Sequence, residues 1–189
     1  PVMKYIKGLD GLRAIAFLLV FIFHAHFIYF GWVGVQLFFV LSGFLITGIL
    51  LDMKRGLAPA GYFVKFYGRR FLRIFPLYYL YLFLIAQIAN YLFEHKIRRN
   101  YINIFWDQFP YALAYVYNFF IATSKFTLTS QFLTHLWSLA VEEQFYILWP
   151  LVVFLTPVKH LKKVFFAAIG LAPLFRLGVL LFYQHTSFN

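Results

Sequence analysis

The sequence predicts an all-α fold, a polytopic transmembrane helix bundle, and three observations predict it. Charge is scarce: 63% of the 189 residues are hydrophobic and 12% are charged, about half the charged fraction of an ordinary soluble domain. Charge is also absent over one long stretch, with no Asp, Glu, Lys or Arg from Ala14 to Leu51. That run is too long for one span and suits two of about 20 residues each, and it lacks the polar face a soluble helix needs. Finally, the basic residues stand in short clusters between apolar runs, the charge pattern of cytoplasmic loops in membrane proteins.

The elements follow from these runs. Residues 1–12 are a short amphipathic lead. Span one is expected at about Leu12 to Phe30, with Gly31 and Gly34 marking the turn, and span two at about Val33 to Leu51. The first apolar run is long and lacks a small-residue cleavage site, so it is expected to stay as a span rather than be removed as a signal peptide. A basic stretch from Asp52 to Arg73 is broken by Ala58, Pro59, Ala60 and Gly61, with Tyr62 to Arg70 expected as a short interfacial helix. Span three is expected at about Ile74 to Phe93, a further span at about Leu136 to Leu155, a basic turn at Lys159, Lys162 and Lys163, and a last span at about Val164 to Tyr183. Phe105 to Thr123 is apolar enough to span but is interrupted by Asp107, Pro110 and Asn118. The count is therefore five or six. The loop between spans one and two has no Lys or Arg and faces out, whereas the N-terminus and the 52–73 stretch are basic and face the cytoplasm. The whole chain, 1–189, reads as one membrane domain.

Composition also excludes some classes. The net charge of +11 is explained by loop anchoring, and nucleic-acid binding would need a basic face on a folded domain. With no Cys there is no disulfide framework, thiol nucleophile or Cys-based zinc site. No paired His or carboxylate motif has metal-ligand spacing, so no metal is expected.

Three groups of residues are candidates for chemistry. Arg13 and His24 lie eleven residues apart, close to three turns and about 16 Å along one helix, so they share a face. Arg13 sits at the cytoplasmic edge and His24 beyond the midpoint of the membrane, where an ionisable group faces a cavity or a partner. The structural alternative is a snorkelling Arg13 and a core histidine. His26 is about 200° further round and does not share that face. Arg70 and Arg73 are three apart on one helix face. They act either as positive-inside anchors or as phosphate forks. Ser138 and Glu142 are four apart, and the Glu142–Glu143 pair beside an apolar run needs a cation, hydroxyl or water. Glu142 can orient His24 or an acceptor hydroxyl, or form a structural ion pair.

Four stretches stand in order: Gly8 to Ala16 followed by His24, Gly34 to Ile46, Arg69 to Pro76, and His135 to Tyr146 with Trp149-Pro150 behind. Together they resemble the acyltransferase-3 family of bacterial membrane acyltransferases. The resemblance implies about ten transmembrane helices of about 20 residues each, of which this chain supplies about half, so the chain is expected to be incomplete at its C-terminus. It implies acyl transfer, commonly of acetyl from acetyl-coenzyme A as co-substrate with no bound cofactor, to a hydroxyl of a sugar or another extracytoplasmic acceptor. It carries the essential Arg–His pair onto Arg13 and His24, the Arg-x-x-Arg element onto Arg70 and Arg73, and the Ser-x-x-x-Glu element onto Ser138 and Glu142. The implied location is the cytoplasmic (inner) membrane, with the lipid bilayer, an acyl-CoA and a carbohydrate acceptor as partners. The competing class is a non-enzymatic carrier or flippase for lipid-linked sugars, which also places polar residues in spans. Oligomeric state is open.

Overall fold

The structure is a computed structural model that describes residues 6–123 and 129–187, with side chains for all of these except Lys7 and 179–187. The described residues are helical throughout: α1 (Lys7–His24), α2 (Val33–Gly56), α3 (Pro59–Glu94), α4 (Arg99–Leu113), α5 (Tyr117–Thr123), α6 (Leu136–Leu155), a 3-10 turn (Val158–His160) and α7 (Leu161–Ser187). By length and composition, α2, α3 and α6 are each able to cross a membrane. The chain divides into two compact units, Pro1–Pro150 and Leu151–Asn189.

In the first unit, α1 takes in the second half of the lead, while residues 1–5 lie outside the described residues. The helix ends at His24 rather than at Phe30. The N–H of His26 bonds to the carbonyl of Phe23 and that of Phe27 to Ile22, and His26 holds the left-handed conformation at φ 62°. This is the Schellman stop, which usually uses glycine. The same device ends α3 at Lys96 (φ 58°) and α4 at Tyr115 (φ 54°). Gly34 therefore serves close approach rather than the turn: a Cβ there would stand 2.5 Å from the Ala16 carbonyl oxygen, so α2 lies directly on α1.

The basic 52–73 stretch is not a loop. α2 runs on to Gly56 and α3 starts at Pro59, where proline's missing N–H costs nothing. The expected interfacial helix and span three merge into one 36-residue helix that passes through Pro76. At about 1.5 Å per residue it is roughly 54 Å long, so its basic first part projects Arg70 and Arg73 from the same rod that forms the core. Phe105 to Thr123 is not one continuous span, because α4 has 15 residues, α5 has 7, and the stop at Tyr115 parts them.

The core lies where α3 meets α4, α5 and the approach to α6. Tyr78, Leu82, Ile85 and Ala89 form one buried stripe of α3 against Ile102, Phe105 and Ala112 of α4, with Tyr117, Leu133 and Leu136 alongside. Tyr78 and Tyr79 donate to the carbonyls of Ala112 (2.7 Å) and Leu113 (3.2 Å), so tyrosine hydroxyls tie α3 to the end of α4. Tyr62 and Tyr67 likewise donate to the carbonyls of Pro150 (3.0 Å) and Ile147 (2.8 Å) and tie α3 to α6. Outward, Ile15, Phe17, Leu18 and Phe21 of α1 are exposed, as expected of side chains that face lipid. In the second unit, Pro157 leads into the 3-10 turn with Lys159, and α7 follows with Lys162 and Lys163 in its first turn.

Candidate functional site

Two cavities are lined by the six candidate residues Arg13, His24, Arg70, Arg73, Ser138 and Glu142. The first, of about 380 Å³, is lined by Arg13, Ser42, Arg70, Arg73, Glu142 and Tyr146 among apolar neighbours. α1 brings Arg13 from its second turn, α3 brings the two arginines three residues apart, and α2 and α6 close the wall. Glu142 Oε1 accepts hydrogen bonds from Ser42 Oγ at 2.8 Å and from the Tyr146 hydroxyl. The Arg70 guanidinium stacks over the Tyr146 ring at 4.7 Å and lies 5.7 Å from the Phe66 ring centroid. The contact over the aromatic rings holds the Arg70 guanidinium in the cavity. Arg13 pairs with Asp10 at 3.6 Å, and both are about half exposed. Three guanidinium groups against one carboxylate leave this cavity with a net positive lining, which suits a phosphorylated ligand.

The second cavity, of about 940 Å³, is lined by His24, Trp32, Gln131, His135, Trp137 and Ser138, among others. His24 is the last residue of α1, so the two cavities lie toward opposite ends of that helix. His24 Nδ1 is 2.8 Å from the Val20 carbonyl oxygen. A carbonyl only accepts, so Nδ1 carries the hydrogen and the neutral ring keeps Nε2 as a bare acceptor. His135 meets the Tyr81 ring edge-on at 5.4 Å. Partial burial, with His24 as a smaller cause, pushes its pKa below the ordinary histidine value.

The structure thus brings together Arg13, Arg70, Arg73 and Glu142, and separately His24 and Ser138. It gives Glu142 the hydroxyls of Ser42 and Tyr146 as partners and places it in the arginine cavity, not in the cavity lined by His24. Glu143 is buried at 5% exposure, and its Oε1 has no hydrogen-bond partner among the described residues. Sequence reasoning missed Ser42, Tyr146 and His135. All three lie inside the stretches that carry the family resemblance, which was the available signal.

Long apolar helices with a cationic cavity and a two-histidine cavity among them define a membrane protein. The chain belongs to the acyltransferase-3 family, whose acyltransferase domain matches residues 6–189. It is 36% identical over 189 residues to the peptidoglycan O-acetyltransferase of Listeria monocytogenes, an alignment that covers 95% of this chain and 29% of that protein. A Bacillus subtilis protein named for the same activity is 39% identical over 159 residues, covering 78% of this chain and 24% of its own length. A Staphylococcus aureus protein named for O-acetyl transfer is 37% identical over 190 residues, covering 95% and 30%. The chain spans less than a third of the length of these relatives. No solved structure matches it.

Proposed function

We propose that this domain transfers an acyl group, acetyl in the first instance, from an acyl-CoA on the cytoplasmic side to a hydroxyl of an extracytoplasmic sugar of the cell envelope. The observation that carries the reading is the pairing of cavities. One pocket is lined by Arg13, Arg70 and Arg73 and another by His24 and Ser138, both walled in part by α6, with the bare Nε2 of His24 available as a base. The relatives' names, which specify O-acetyl transfer and in two cases peptidoglycan, support the acceptor class. The basic N-terminal and 52–73 regions support a cytoplasmic N-terminus in the inner membrane.

The donor's phosphates lie against the arginine forks. Glu142, held by Ser42 and Tyr146, keeps the local charge balanced and the Tyr146 ring in place under Arg70. The thioester reaches along the side of α6 that carries Glu142 in one cavity and Ser138 in the other. His24 takes the proton of the acceptor hydroxyl as the oxygen attacks the thioester carbonyl. The C–S bond breaks, coenzyme A leaves as the thiol after protonation, and an ester remains on the acceptor. General-base catalysis of this kind contributes about 10²–10⁴-fold. Transient acylation of Nε2 is the two-step form of the same reaction. Transfer of labelled acetyl from acetyl-coenzyme A to a soluble oligosaccharide by membranes carrying the complete protein tests this. Label on the sugar is expected. Label trapped on the protein before acceptor addition selects the two-step form, and thioester left intact refutes the reading.

A further inference from the structure

We infer that His135 is a second acceptor-binding residue, which pairs with His24 across the outer cavity and holds the hydroxyl-bearing substrate by hydrogen bonds. The inference rests on the reading that this cavity receives the acceptor.

Both imidazoles line the same space of about 940 Å³, whose lining among the described residues includes no Lys, Arg, Asp or Glu. Hydroxyl, amide and imidazole groups alternate there with the rings of Trp32 and Trp137. That lining suits an uncharged, polyhydroxylated molecule, whose C–H faces pack on indole and whose hydroxyls need partners that both donate and accept.

The two histidines are held differently. His24 spends Nδ1 on its own helix, which leaves it one working nitrogen. Among the described residues no hydrogen bond engages either ring nitrogen of His135, so its neutral ring offers one donor and one acceptor. Its backbone is fixed by a buried node. Gln108 of α4 accepts from the Tyr117 hydroxyl at 2.7 Å and from the Ser130 N–H at 3.0 Å. Thr134 Oγ1 donates to the Ser130 carbonyl at 2.7 Å, Tyr81 donates to the Phe132 carbonyl at 2.8 Å, and Ser138 Oγ donates to the carbonyl of His135 itself at 3.2 Å. A fixed backbone under a ring with two open nitrogens is the arrangement of a binding residue.

The test is steady-state transfer by the complete protein in membranes, with acetyl-coenzyme A and a soluble N-acetylglucosamine oligomer as probes. His135→Ala is expected to raise the acceptor KM about 3- to 10-fold, the worth of one hydrogen bond of roughly 0.5–1.5 kcal/mol, with the donor KM unchanged. His135→Gln, which keeps one donor and one acceptor, is expected to recover most of that loss. An unchanged acceptor KM in His135→Ala overturns the inference. So does a joint fall in donor and acceptor parameters with a lowered thermal midpoint, because that marks a role in the fold. Absence of transfer by the wild-type protein removes the underlying functional reading as well, and is thereby distinguished from a failure confined to His135.

Discussion

Gly34→Ala probes the contact that sets α1, and with it Arg13 and His24, against the rest of the site. The added Cβ would lie 2.5 Å from the Ala16 carbonyl oxygen, 2.8 Å from Val20 Cγ2 and 3.1 Å from Leu19 Cβ. The nearest of these is a backbone atom of a residue that is fully buried, so no rotamer change relieves it. Ordinary contact needs roughly 3.4 Å or more, and α1 must therefore yield by about 0.9 Å. Overpacking of this kind costs about 1–3 kcal/mol, and a displacement near 1 Å at reacting groups costs up to about 10²-fold in rate. Gly34→Ala should lower the thermal midpoint in detergent and reduce kcat/KM for acyl transfer by 10- to 100-fold on that estimate. Gly68→Ala is the control: a Cβ at Gly68 meets nothing within 4 Å, and alanine favours the helix by up to about 1 kcal/mol. A Gly34→Ala protein with wild-type midpoint and kinetics would refute the close packing of α1 on α2.

Three further outcomes are expected. Arg70→Lys loses the planar fork and its stacking on Tyr146, worth about 1–2 kcal/mol, so the donor KM should rise roughly 5- to 30-fold with little change in acceptor KM, as initial-rate kinetics will read. Gln108→Leu leaves the Tyr117 hydroxyl and the Ser130 N–H without that acceptor, at about 1–3 kcal/mol for each unsatisfied group, so thermal denaturation should show marked destabilisation. The depressed pKa of His135 has a defined sign. The unfolded chain binds the proton near the ordinary value of 6.5 and the folded chain only below it, so the stability from this group is full above pH 6.5 and lost as pH falls through the lower folded value. The thermal midpoint should drop over that window more in wild type than in His135→Gln.

Much of the bundle was legible because it follows from local pattern. The apolar run from Leu136 to Leu155 became α6 with the same ends. Arg13 and His24 both line cavities walled by α6, as their near three-turn spacing required. The failures have physical causes. Span one was drawn too long because its stop uses His26 in the left-handed conformation, where the expected signal is glycine. α3 was cut in two at the charge boundary near Arg73, yet a helix with lipid on one part and water on the other needs no break. The site depends on pairs such as Ser42 with Glu142, 100 residues apart, and on Tyr146 beneath Arg70. No local periodicity reports such contacts, so the partners of Glu142, left open between His24, an acceptor hydroxyl and an ion pair, are seen only in the fold, on α2 and on its own helix.

The central claim is that His24 performs the transfer at a site fed by the arginine cavity. Single-turnover transfer from labelled acetyl-coenzyme A to a soluble oligosaccharide, compared between wild type and His24→Ala in membranes at matched protein levels, tests it most directly. The account predicts a loss of about 10²–10⁴-fold in rate, with donor binding retained because Arg13, Arg70 and Arg73 are intact. A His24→Ala protein that transfers at the wild-type rate would contradict it.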